Sequence, residues 1–215
     1  MNAFVKDISE RKVIAILRNI APERAAETAQ ALYQAGIRCC EVTFDAKDPS
    51  RDGEIVGTIS QIVKHMEGKM LVGAGTVLNT NQVRQVLDTG ANLIISPHFN
   101  PAVIQETKRL GGISCPGAFT PTEVLTAYEC GADMVKLFPA SVAGTAYIKA
   151  LRAPLGQVPL VAVGGVDETN IGEFLDVGCI AVGVGGNLVK KSFIDAGDFA
   201  ALEQHARKFV LAAGL

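Results

Sequence analysis

The chain has 215 residues, 48% of them apolar and 20% charged, with a formal net charge of −2. That balance suits a single globular core and excludes a disordered segment, and the scattered Lys and Arg residues supply no basic face for nucleic acid. No run approaches the roughly 18 apolar residues of a membrane helix, and the opening MNAFVKDISERK meets Asp7, Glu10, Arg11 and Lys12 too early for a signal peptide. A cytoplasmic location is therefore expected. The five cysteines are odd in number, lack C-x-x-C spacing and sit among apolar residues, as buried free thiols of a reducing compartment do.

A short helix is expected at about Ala3–Glu10. After it, short β-rich runs alternate with longer amphipathic ones. The strands are expected at Val13–Leu17, Cys39–Phe44, Met70–Gly73, Leu93–Ser96, Ile113–Cys115, Met134–Phe138, Leu160–Val163 and Ile180–Val184. The helices between and after them are expected at about Glu23–Ala35, Gly53–Met66, Thr80–Thr89, Pro101–Leu110, Pro121–Glu129, Thr145–Leu151, Glu168–Val177 and Asp198–Ala212. Asn100-Pro101 and Thr120-Pro121 each put a capping side chain before a first-turn proline, and Asp167-Glu168 opens another helix. Gly36, Gly90, Gly111, Gly131 and Gly178 close helices that feed strands. Even alternation with no skipped strand means a parallel sheet, closed as a small single-domain (β/α)8 TIM barrel over residues 1–215, with the N-terminal helix across its bottom. An open doubly wound sheet is the alternative.

In a barrel the chemistry gathers at the C-terminal ends of the strands. VIAILR carries Arg18 straight off the first strand, and CCEVTF holds Glu41 inside the second. GAGT places Thr76 after two glycines. DMVKLFPA buries Lys136 in the middle of an apolar run. Alternation puts Met134, Lys136 and Phe138 on one face and Glu41 on the face of Cys39 and Thr43, so both charges project into one lumen. Gly164-Gly165 and Gly185-Gly186 end the last two strands, where this fold cradles phosphate on backbone N–H groups. Two plainer readings compete: Lys136 and Glu41 as a mutually neutralising ion pair, and the glycines as tight turns without ligand.

An ammonium buried in a barrel is costly, whereas a neutral lysine is a nucleophile, and burial beside another cation favours the neutral form. These parts allow Lys136 to form an iminium with a ketone, Glu41 to shuttle protons, Arg18 and Thr76 to hold a carboxylate, and the glycine pairs to hold a distal phosphate. The substrate they imply is a phosphorylated 2-keto acid cleaved to pyruvate and an aldehyde, with no metal or organic cofactor. His65, His98 and His205 are too scattered to suggest a metal-dependent aldolase. A barrel isomerase or epimerase without a covalent intermediate, and a non-catalytic sugar-phosphate sensor, use the same parts.

The ordered set VIAILR, EVTF, GAGTVL, ISPHF, CPGAFTPTE, VKLFPA, AVGGV and VGVGGNLV resembles the bacterial KDPG/KHG aldolases over nearly the whole chain. These are class I enzymes acting on 2-keto-3-deoxy-6-phosphogluconate and 4-hydroxy-2-oxoglutarate. The resemblance implies a Schiff base on Lys136, acid–base catalysis by Glu41, carboxylate binding by Arg18 with Thr76 and Pro97, a pocket wall at Phe138, and a homotrimer. Three positions depart from the commoner pattern. Val163 stands where gluconate-type members often have Thr and galactonate-type members have Val. Gly186 stands where a serine hydroxyl helps bind phosphate, and Asp45 where some members carry an arginine. All three concern the aldehyde half of the substrate, and they leave open the C4 epimer and an unphosphorylated substrate.

Overall fold

The computed structural model describes residues 3–215. Its nine strands are all parallel: β1 (Val13–Leu17), β2 (Cys39–Thr43), β3 (Leu71–Gly75), β4 (Leu93–Ile95), β5 (Ile113–Cys115), β6 (Gly117–Ala118), β7 (Val135–Leu137), β8 (Leu160–Val163) and β9 (Ala181–Val184). Their order is β5-β4-β3-β2-β1-β9-β8-β7-β6. The expected fifth strand is β5 with the same bounds, and an unexpected second piece, β6, follows it across Pro116, which has no N–H to give to a ladder. The edges still meet: Met134 N–H donates to Ser114 O and Lys136 N–H to Pro116 O, joining β7 to both pieces. The sheet is a barrel, and the open-sheet alternative is excluded.

Around it run α1 (Ala3–Arg11), α2 (Pro22–Ala35), α3 (Asp52–Met66), α4 (Thr80–Leu87), α5 (Pro101–Arg109), α6 (Pro121–Glu129), α7 (Ala140–Arg152), α8 (Ile171–Asp176), α9 (Lys191–Ala196) and α10 (Phe199–Ala212). Asn100 caps α5 through the N–H groups of Ala102 and Val103, and Thr120 with Glu123 forms a reciprocal capping box on α6.

Other boundaries differ from expectation for local reasons. The Asp167 carboxylate accepts from the N–H and hydroxyl of Thr169, which keeps a turn there and delays α8 to Ile171. The expected Thr145–Leu151 helix is the second half of α7, whose first turn ends at Gly144 with φ 72° and ψ 162°. The short α9, and a 3-10 turn at Pro49–Arg51, had not been expected.

Two apolar layers follow from alternation. Inward-facing Ile14, Ile16, Cys39, Leu93, Cys115, Met134, Val161 and Val163 fill the lumen, and Ile8 of α1 packs into the same cluster. The opposite strand faces, such as Ala15, Cys40, Val135 and Leu137, pack with the helices. The N-terminal helix therefore seals the bottom, which leaves the strand C-termini as the open end of the barrel.

Candidate active site

Glycine makes room at the top of the lumen. Glu41 lies opposite Ile16 on one side and Gly73 on the other. A Cβ on Gly73 would lie 2.3 Å from the Leu93 carbonyl oxygen, and one on Gly117 would lie 2.4 Å from the Pro97 carbonyl carbon. These glycines let neighbouring strands supply bulk where their own side chains would collide. Gly117 is also the register partner of Lys136, so the lysine rises beside a residue with no side chain.

The resulting cavity, about 600 Å³, lies at the strand C-termini. Arg18, Glu41, Thr76, Pro97, Lys136, Phe138 and Val163 line it together with the glycine pairs Gly164-Gly165 and Gly185-Gly186. The residues expected to catalyse or to bind substrate are therefore in one cavity of a size ordinary for small-molecule sites, and Asp45 is not among its lining residues. The cavity is graded: Lys136 and Glu41 are only 7% and 2% exposed. Gly165 and Gly186 are open to solvent at the other end.

Among the described residues Lys136 and Glu41 make no direct salt bridge, although the lysine charge still acts on the carboxyl. Lys136 Nζ sits 4.9 Å from the centroid of the Phe138 ring. Glu41 Oε2 is buried with no hydrogen-bond partner among the described residues. Burial pushes the Glu41 carboxyl above its ordinary range, while Lys136 and then Arg18 pull it part of the way back. Cys115, also in the lumen, is an inert thiol whose pKa burial raises to about 12. Among the described residues no three His, Cys, Asp or Glu side chains converge as metal ligands would.

The rim holds unusual backbone. Thr76 has φ 57° and Asn19 has φ 53°, in the left-handed region that a β-branched threonine seldom enters. Asn19, next to Arg18, also lines the cavity, as do Asn187 and Lys191. None of these three was singled out from the sequence. Asn19 gave one weak sign, since asparagine tolerates φ above zero. Asp45 lies in a smaller cavity of about 300 Å³ that shares Arg18, Asn19 and Thr76 with the main one. Its carboxylate accepts from Lys47 N–H and so shapes the loop after β2.

At the exposed end the two glycine loops are tied together. The Asn187 carboxamide donates to Val166 O, and His205 of α10 hydrogen-bonds Asn187 O. Gly164 and Gly165 have φ 95° and 76° and face Phe138 and Ser141 so closely that a Cβ on either would crowd them. Part of their reason is therefore packing. Among the described residues, the N–H groups of Gly165, Val166, Gly186 and Asn187 are given to no backbone carbonyl, as an anion cradle requires.

A closed parallel barrel with an amine and a carboxyl buried together at its top has the parts of an enzyme that makes and breaks bonds beside a carbonyl group. The family described as KDPG and KHG aldolase matches residues 5–205, and the chain belongs to this family of lyases. It is 42% identical over 190 residues to a probable 2-dehydro-3-deoxy-6-phosphogalactonate aldolase of Rhizobium meliloti (strain 1021), covering 88% of this chain and 86% of that one. Among solved structures, a native KDPGal structure superposes with a TM-score of 0.83 at 36% identity, covering 93% of each chain. A KDPG aldolase of Legionella pneumophila, with pyruvate captured as a covalent carbinolamine, superposes with a TM-score of 0.82 at 25% identity, covering 91% of this chain and 92% of that one.

Proposed function

We propose that the protein is a class I aldolase that reversibly cleaves a 2-keto-3-deoxy-6-phospho-sugar acid to pyruvate and glyceraldehyde 3-phosphate, with the galactonate epimer as its substrate. The observation that carries the class is the pairing of a buried, unbridged lysine with a buried carboxyl in one cavity. The carbinolamine of the Legionella relative supports the same chemistry.

In this reading Lys136 Nζ attacks the C2 ketone, and the carbinolamine loses water to give an iminium. Glu41 supplies and removes the protons of that exchange. It then takes the proton of the C4 hydroxyl as the C3–C4 bond breaks, and the bonding electron pair flows into the iminium as an enamine. Protonation of the enamine at C3 and hydrolysis of the imine return pyruvate and the free amine. A carboxyl whose pKa is raised by burial suits a group that must both give and take a proton. Arg18 and Thr76 bind the substrate carboxylate, Pro97 and Phe138 wall the pyruvate end, and the glycine loops hold the phosphate.

Val163 supports the galactonate epimer. It is nearly buried in the cavity wall and offers no hydroxyl, as the resemblance to galactonate-type members implies. The phosphogalactonate aldolase of Rhizobium supports it too. The test is borohydride trapping with pyruvate, followed by peptide mapping and by assays on both C4 epimers. A reduced pyruvate adduct on Lys136, lost in Lys136→Ala, is expected; folded protein that traps nothing overturns the mechanism.

We further read the chain as a single domain that assembles as a homotrimer. Among the described residues no helix is long and apolar enough to cross a membrane. Exposed Val142, on α7 just after Phe138, is a candidate contact between copies. Sedimentation velocity tests the assembly, and a monomer overturns it.

A further inference from the structure

We propose that Lys191 is the side chain that binds the substrate phosphate, closing the exposed end of the cavity in place of a hydroxyl at residue 186. This deepens the function proposed above and rests on that reading for the identity of the anion. The cavity has three cationic side chains, those of Arg18, Lys136 and Lys191. The first two belong to the strand ends of the pyruvate half. Lys191 alone follows a glycine loop.

Its position is fixed by the turn that precedes it. Gly185 O accepts from both Leu188 N–H and Val189 N–H, and Leu188, Val189 and Ile194 are buried. The start of α9 is thereby pinned beside Gly186. The Asn187–Val166 hydrogen bond holds the other glycine loop against the same turn. Gly186 leaves the space next to it vacant, since a Cβ there would meet nothing within 4 Å. A phosphate on the N–H groups of the glycine loops has Lys191 as the one cationic side chain of the cavity on the same loop, beside the neutral Ser141 and Asn187.

Lys191 is free to turn toward it. Its partner is Asp195, at 2.7 Å, with both side chains about 60% exposed. An exposed pair of this kind contributes little, and a phosphate dianion outcompetes it. Lysine meets phosphate as a mobile point charge, which suits a residue that must swing from one anion to another.

Calorimetric titration with glycerol 3-phosphate tests this without turnover. Lys191→Met is expected to weaken binding by about tenfold, as loss of one charge-assisted contact does, and Lys191→Arg to keep most of the affinity. Equal affinity of Lys191→Met and the parent overturns the inference. So does a loss in Lys191→Arg as large as in Lys191→Met, or a parent protein that does not bind the probe. Borohydride trapping with pyruvate stays separate: if it fails while the probe binds, the aldolase reading falls and the phosphate contact of Lys191 stands.

Discussion

The Glu41 carboxyl occupies the space that a side chain on residue 75 would need: a Cβ built on Gly75 would lie 2.6 Å from Glu41 Cδ and 2.6 Å from its Oε1. Gly75 and Thr43 are register partners at the end of the β2–β3 ladder, so the strands cannot part to relieve such a clash without opening the lumen. Gly75→Ala is therefore expected to push the carboxyl off its station while the barrel still forms. Schiff-base trapping by Lys136 should persist at a reduced rate, and aldol cleavage should fall by about 100-fold, the scale of a displaced general base. Parallel trapping and cleavage assays check this, and unchanged cleavage would show that the carboxyl is not positioned by that contact.

Glu41 is held at a cost to the fold. Burial raises its folded pKa above the ordinary 4.5, and Oε2 has no partner. The stability associated with the protonated form is fully present below the unfolded value and is lost as pH rises through the raised folded value. Glu41→Gln removes that titration. It is expected to gain about 1 kcal/mol at neutral pH by removing a buried carboxylate whose desolvation its neighbouring cations only partly offset, while losing cleavage by about 100- to 10,000-fold. Denaturant melts at pH 4, 6 and 8 give the comparison. A parent protein whose stability relative to Glu41→Gln does not decline with pH contradicts the raised carboxyl. The acid limb of the parent's kcat/KM profile should likewise lie above 4.5 and vanish in the residual activity of Glu41→Gln.

Why so much of this site was legible follows from the barrel. Period-2 alternation fixes which side chains enter the lumen, and the strand C-termini fix its open end. Lys136, Glu41 and Arg18 could therefore be assigned to one cavity before any coordinates. The residues that escaped lie where no periodicity applies. Lys191 follows an irregular turn and opens a helix of six residues, so no sequence pattern sets it apart from other lysines. The extra piece Gly117–Ala118 beyond Pro116 depends on how the barrel turns a corner, and the expected strand Ile113–Cys115 gives no sign of it. The meaning of Gly73, Gly75 and Gly117 was half visible: glycine signals close approach, but what approaches is a tertiary fact.

Val163 tests the choice of epimer. Its methyl groups face the cavity and pack near the Gly183 backbone, where a Cβ would lie 2.9 Å from Val163 Cγ2. Threonine has nearly the same shape but adds a hydroxyl, which can pair with a substrate hydroxyl of one C4 configuration and is left unpaired by the other. Val163→Thr is expected to move the kcat/KM ratio toward the gluconate epimer by about tenfold, within the range that one pocket contact supplies. Parallel assays on the two epimers read it, and an unmoved ratio would place epimer selection elsewhere in the cavity.

Gly186 is the complementary case, a position with space to spare. A Cβ there meets nothing within 4 Å, and its φ lies outside the left-handed region that would bar a side chain. Gly186→Ser should therefore fold as the parent does. In members this chain resembles, a serine at this place helps bind phosphate, and here residue 186 lines the same cavity as Lys191. The KM for the phosphorylated substrate is expected to fall by about three- to tenfold, the worth of one added neutral hydrogen bond. The gain should be larger in Lys191→Met than in the parent, because the hydroxyl would then replace the missing contact instead of supplementing it. Steady-state kinetics of the four proteins in this cycle measure that coupling, and a coupling of zero would mean that residues 186 and 191 serve different parts of the substrate.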